Sequence, residues 1–323
     1  LVIRENRALK MRQGKMTNKE RIEALLKGQP IDRVPFYPFV LGFCARNVGY
    51  PIASIYSDAK RSFEAQLWTM KQYGFDWGPI YGYASYGTWE FGGEVKMPRG
   101  EYEQAPSHKM FPVQSDEDLF RLQLPDVRNA GCIPIAMEFS QLQDKLDIPI
   151  SVVLGGNFTI AGNICPVERL CRWMLKKPEL AHCVLRLARD HIVDVVRYWA
   201  DTFGAGRVIP KIWEPLATNH IISPKQFEQF VLPYLRESSE RILAMGVRHI
   251  LYHICGEQNA NLPYWAQVPM GDPGLCSFGP EVDIDTAIKY FGDTCIIIGN
   301  IDPKVIQNGP PDQIYRLCKE KIE

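Results

Sequence analysis

Short apolar runs alternate with amphipathic helical stretches along almost the whole of this 323-residue chain. Runs of strand length lie at residues 34–39, 76–81, 150–154, 208–213, 249–255, 275–278 and 295–299. The helix signals fall between them. Ser57-Asp58 opens a helix that carries Phe63, Leu67 and Met70 towards Tyr73. A long helical stretch runs from Pro166 to about Phe203, with a break at Lys177-Pro178. Ser223-Pro224 places a cap residue and a proline at a helix start. Asp283 opens a helix to Phe291, and Pro310-Pro311 a last one to Ile322. Strands separated by helices pair in parallel, because each crossover returns the chain to the same end of the sheet. Seven such units favour a (β/α)8 TIM barrel, an α/β fold, over an open doubly wound sheet. No Gly-x-Gly-x-x-Gly turn follows the first run, so a dinucleotide-binding fold has no support.

The same pattern sets the domain organisation. One domain is expected over residues 16–323, with an irregular, aromatic-rich insertion at about 84–112 that has strand character around residues 94–97. Thr17-Asn-Lys-Glu20 is a capping box that opens the first helix. Residues 1–15, basic apart from Glu5, read as an extension ahead of the fold. The last element is a helix, so the eighth strand of the barrel is expected beyond Glu323.

Charge and cysteine usage exclude some functions. Lys+Arg and Asp+Glu are equal at 37 each, so no basic excess points to nucleic acid. The apolar runs are far shorter than a membrane span. Nine scattered cysteines, an odd number, fit reduced thiols in a cytoplasmic protein better than a disulfide framework.

The chemistry concentrates at strand ends. His253 and Cys255 lie two apart on the fifth run, which Gly256 ends. Side chains two apart project to one face of a strand, so the imidazole and thiol converge at its carboxyl end. Two soft ligands there point to zinc; a satisfied core histidine beside an inert cysteine is the alternative. Glu214 ends the neighbouring fourth run, as a further ligand, a proton donor or a carboxylate paired with a nearby base. Asn157, Tyr81, Asn300 and Asp302 follow other runs and are candidates to contact substrate. For Asn157, Asn300 and Asp302, local turn bonds are the alternative. The segment YGYASYGTWEF over residues 81–91 either lines a pocket for an aromatic ring, favouring a methoxylated aromatic substrate, or packs a small core of its own. Glu94 and Lys96 read as a surface pair.

Ordered motifs carry a resemblance. They are TNKERIEALLKGQPIDRVP over 17–35, GGEVK over 92–96, GGNFTI over 155–160, ISPKQFEQFVLPY over 222–234, HICG over 253–256 and GNIDP over 299–303. Together they resemble the uroporphyrinogen decarboxylase superfamily, and His-x-Cys resembles its branch of corrinoid-dependent methyltransferases. The resemblance implies a (β/α)8 barrel with zinc at its carboxyl face, held by His253, Cys255 and a further Cys that falls beyond Glu323. Cys276, Cys295 and Cys318 are the in-chain candidates for that third ligand, and Cys276 is preferred because it lies within a strand. The resemblance also implies a partner corrinoid protein carrying cobalamin, and a small-molecule methyl donor or thiol acceptor. Two other readings remain. One is metal-free decarboxylation of a tetrapyrrole, against which Arg46 is the one arginine in YPFVLGFCARNV over 37–48. The other is a barrel that binds a corrinoid or its carrier without catalysis.

Overall fold

The computed structural model describes residues 14–83, 85–100, 103 and 105–322. The extension expected at 1–15 therefore lies almost wholly outside the described residues. Within the insertion, β1 (Glu94–Lys96) and β2 (Ser107–Met110) form an antiparallel hairpin. Glu94 and Lys96 do not pair with each other as expected. Glu94 pairs with Lys109 and Lys96 with Glu103 at 2.8 Å, because residues two apart on a short strand reach across to neighbours more readily than along it.

The body of the fold is a parallel sheet in the order β3 (Ile150–Gly155), β4 (Val208–Trp213), β5 (Leu251–Ile254), β6 (Gly274–Phe278) and β7 (Cys295–Ile298). These are the third to seventh expected strands. The helices between them start where the caps predict. The stretch from Pro166 breaks into Val167–Lys176 and Pro178–Phe203, with Pro178 in the first turn of the second helix. Ser223 caps Pro224–Phe230 through a capping box with Gln226. No helix among the described residues is long and apolar enough to cross a membrane.

The first two expected strands differ. Residues 34–39 and 76–81 carry no ladder, although both are apolar. Pro35, Pro38 and Pro79 have no N–H to donate, and proline is confined to places where a ladder bond is not needed. One main-chain bond joins the two segments, from Asp76 N to Phe36 O at 2.8 Å. Side chains from elsewhere take over the remaining groups. Asp76 accepts from Phe36 N at 2.6 Å. Gln66 accepts from Ile80 N and donates to Ile80 O, and Gln143 donates to Pro79 O.

Strand register sorts the side chains into rows. Val153, Lys211, Leu251, Leu275 and Ile296 stand side by side, and so do Gly155, Trp213, His253, Ser277 and Ile298. Residues of the other parity, including Tyr252, Ile254, Cys276, Phe278 and Ile297, face the helices in the larger core. A second core closes the amino end of the sheet. There Ile209, Leu251, Leu275 and Ile296 meet Met16, Ile22, Leu25, Ile31 and Trp77. The helix Asn18–Leu26 that supplies part of this plug is held by Arg21, which is bonded to Asp32 at 2.6 Å and to the buried Asp76 at 2.5 Å. With its amino end closed, the sheet leaves its carboxyl end for ligands, the usual site of (β/α)8 folds.

Candidate active site at the carboxyl end of the sheet

His253 and Cys255 stand together where β5 ends, both partly accessible to solvent. The ladder fixes the height of His253, which pairs with Trp213 on one side and Ser277 on the other. Gly256 then turns the chain with φ of +76°, a conformation that favours glycine. A Cβ there would also meet Thr218 Oγ1 at 3.0 Å. Buried Gln258 latches the two strand ends, donating to Cys255 O at 3.3 Å and Glu214 O at 3.2 Å.

The electrostatics suit a soft cation. Burial pushes the His253 imidazole down to about 4, so it is neutral at pH 7 and keeps a lone pair for a ligand. Burial, with a smaller contribution from Glu281, pushes the Cys255 thiol up to about 11. A thiol so raised stays protonated unless a bound cation favours its thiolate. His253 Nδ1 lies 3.0 Å from Ser277 Oγ, which leaves Nε2 as the second ring nitrogen. The donor set therefore fits zinc as two of its ligands.

None of the in-chain cysteines proposed as a third ligand joins them. Cys276 belongs to the outward parity, with its Sγ 3.3 Å from Met270 Sδ, which corrects the inward placement expected for it. Cys295 shares that sulfur environment at 4.0 Å, and Cys318 lies on the final helix. Among the described residues no cluster of three or more His, Cys, Asp and Glu is arranged around a common point. Glu281, which no motif or spacing in the sequence singles out, brings a carboxylate to this end of the site, where it helps raise the Cys255 thiol. A Cβ on Gly279 would meet Glu281 Oε2 at 2.6 Å and Cys255 Cα at 3.2 Å, so the absence of a side chain at Gly279 makes room for both.

Glu214, expected as a ligand or proton donor, is fully buried with its carboxylate occupied. It accepts from Phe158 N at 2.9 Å, Thr159 N at 2.8 Å and Thr159 Oγ1. These are the first donors of the helix Asn157–Ile164, so Glu214 caps that helix and meets the positive end of its dipole. Burial nevertheless pushes its carboxyl up to about 7. Gly156 is small because a Cβ there would lie 2.3 Å from Glu214 Oε2.

The substrate candidates divide in the same way. Asn157 is buried and donates to Ser238 Oγ at 3.0 Å, away from the mouth. Tyr81 is buried and donates to Tyr56 O at 2.7 Å. Asp302 caps the helix Pro303–Asn308 by accepting from Lys304 N at 2.8 Å. Asn300 stays nearest the site. It donates to Gly279 O at 3.1 Å and Val282 O at 2.7 Å, clasping the loop that carries Glu281. The aromatic segment mostly packs on itself, through Tyr83, Tyr86 and Trp89. Tyr86 and Gly82 carry it to the mouth: the Tyr86 ring centroid lies 6.2 Å from that of Trp213, and a Cβ on Gly82 would meet the Trp213 ring at 3.1 Å.

Trp213 also lines the site, although no motif in the sequence marks it. Its ring stands 6.2 Å from His253 and 4.8 Å from Phe39. One row below, Lys211 is buried between the rings of Tyr37 and Trp77, 4.8 and 4.6 Å from their centroids. Burial pushes its amine down to about 7.

Five paired parallel strands with polar groups gathered at their carboxyl ends fit an α/β protein of the (β/α)8 barrel class that lacks some of its strands among the described residues. Residues 17–323 match the model of the uroporphyrinogen decarboxylase (URO-D) family, and the chain belongs to that family. It is 30% identical over 61% of its length to a methylated-thiol–coenzyme M methyltransferase of Methanosarcina mazei, a match that spans about half, 52%, of that relative. It is 26% identical to the methylcobamide:CoM methyltransferase MtbA of Methanosarcina acetivorans, over 95% of this chain and 89% of that one. A solved methyltransferase structure from Methanosarcina mazei superposes with a TM-score of 0.79 at 23% identity, covering 94% of this chain and 88% of that one, and so shares its fold.

Proposed function

We propose that this protein is a zinc-dependent methyltransferase that moves a methyl group between a small substrate and the cobalamin of a partner corrinoid protein. The observation that carries this is the pair His253 and Cys255, neutral nitrogen beside sulfur, at the carboxyl end of β5. The relatives that bear methyltransferase names support the reaction class, and a thiol is the methyl acceptor or donor most in keeping with them. In this reading His253 and Cys255 hold zinc, which when bound supplies a Lewis acid that favours a thiolate or polarises a methyl-bearing oxygen. The chain's own residues do the rest. Ser277 holds the His253 ring, and Gln258 fixes the turn that carries Cys255. Trp213 and Phe39 pack edge to face as an apolar wall beside His253. Asn300 sets the Glu281 loop beside Cys255. Glu214 anchors the end of β4 through the helix it caps.

The test is direct. Purified protein should contain about one zinc per chain and should transfer methyl between methylcobalamin and a panel of simple thiols, followed by the change in the corrinoid spectrum. Decarboxylation of uroporphyrinogen by metal-free protein, with no methyl transfer, would overturn the proposal.

A further inference from the structure

We propose that Ser277 is the positioning residue for His253: its hydroxyl accepts from Nδ1–H and thereby presents Nε2 as the ligand atom. This rests on the zinc reading above. A neutral imidazole has one donor nitrogen and one acceptor nitrogen, and the partner of one decides what the other offers. Ser277 Oγ is 3.0 Å from Nδ1. That nitrogen is engaged, so the ring can offer a metal only Nε2, and metal at Nε2 requires the proton on Nδ1. A hydroxyl rotates to accept that proton as readily as it would donate.

The contact is set by the ladder. His253 and Ser277 are register partners on adjacent parallel strands, and the main chain also ties His253 O to Glu214 N at 3.0 Å. The separation of ring and hydroxyl therefore does not depend on loop conformation. Neither neighbour on β6 can substitute, because Cys276 and Phe278 face the outer helices. Gly279, two residues on, has no side chain, which lets Cys255 and Glu281 approach the same strand end: a Cβ there would lie 3.2 Å from Cys255 Cα and 2.6 Å from Glu281 Oε2. Outer partners of metal-bound histidines typically change metal affinity by about 10- to 100-fold when removed.

The experiment compares zinc affinity by competition titration in wild type, Ser277→Ala and Ser277→Thr, with imidazole ¹⁵N spectra of the zinc-loaded wild type. Affinity should fall by at least about tenfold in Ser277→Ala and return to near the wild-type value in Ser277→Thr. The spectra should show an exchange-protected Nδ1–H on His253 and metal at Nε2. Wild-type affinity in Ser277→Ala, or metal at Nδ1 in the wild type, overturns the positioning role while leaving the zinc site intact. The wild-type spectrum decides the point even if Ser277→Ala does not fold. Wild-type protein that binds no zinc sinks both ideas together.

Discussion

The ends of β4 and β5 are adjacent and similar in sequence character, each offering a titratable side chain after an apolar run, yet the structure treats them oppositely. Glu214 is fully buried and its carboxylate takes three donors from one helix start. His253 and Cys255 remain partly open, with the Ser277 hydroxyl on the imidazole. What separates an anchor from a reactive group here is whether the fold has already supplied its partners. A satisfied polar group stabilises; one left with a free lone pair or a partly accessible thiol is available for chemistry.

The largest effect should come from the open side of that comparison. His253→Ala and Cys255→Ala should each lose zinc and lower methyl transfer by at least about 100-fold, while the thermal midpoint moves little. Full activity in either variant breaks the distinction. Next comes the closed side. Glu214→Ala strands the helix donors and should cost about 2–4 kcal/mol in denaturant unfolding, with residual activity tracking the folded fraction. A stable but inactive Glu214→Ala protein would return Glu214 to a direct chemical role.

Lys211 sharpens the contrast, because it is buried with aromatic faces and no carboxylate partner among the described residues. In the unfolded chain its amine protonates below its ordinary value of 10.5, in the folded chain only below about 7. The contribution of Lys211 to stability therefore falls as pH drops from about 10.5 to about 7. Lys211→Met should stabilise by about 1–3 kcal/mol at pH 7, and the gain should fade towards pH 10.5; equal gains at both pH values would show the amine is not the cause. Asp302→Ala should be the smallest change, about 1 kcal/mol for a lost helix cap with methyl transfer unaltered. A large loss of activity there would extend the site past Asn300.

Much of this was legible in the sequence where a single local rule applied. β3 to β7 follow from mostly apolar runs of strand length, and the helix starts at Thr17, Asp58 and Ser223 from their caps. The segments 34–39 and 76–81 share that apolar signal, but proline removes donors a ladder needs, and the substitutes are side chains of flanking helices: Gln66 from the helix just before 76–81, and Gln143 from one 64 residues from its partner Pro79. Glu214 stands at the end of β4 as its position after the fourth apolar run implies, but its capping partners begin a helix fifty-odd residues earlier, which no spacing near Glu214 signals. Cys276 was recoverable by parity, since Leu275 beside it belongs to the inner row. Ser277 required the pairing of two strands, which periodicity within either one does not specify.

That pairing makes the imidazole a gauge of assembly. If β6 slipped one residue against β5, either Cys276 or Phe278 would stand opposite His253 in place of Ser277, and the ring would lose its hydroxyl. A single residue gained or lost inside either strand would leave a folded-looking wall with a misaligned metal ligand.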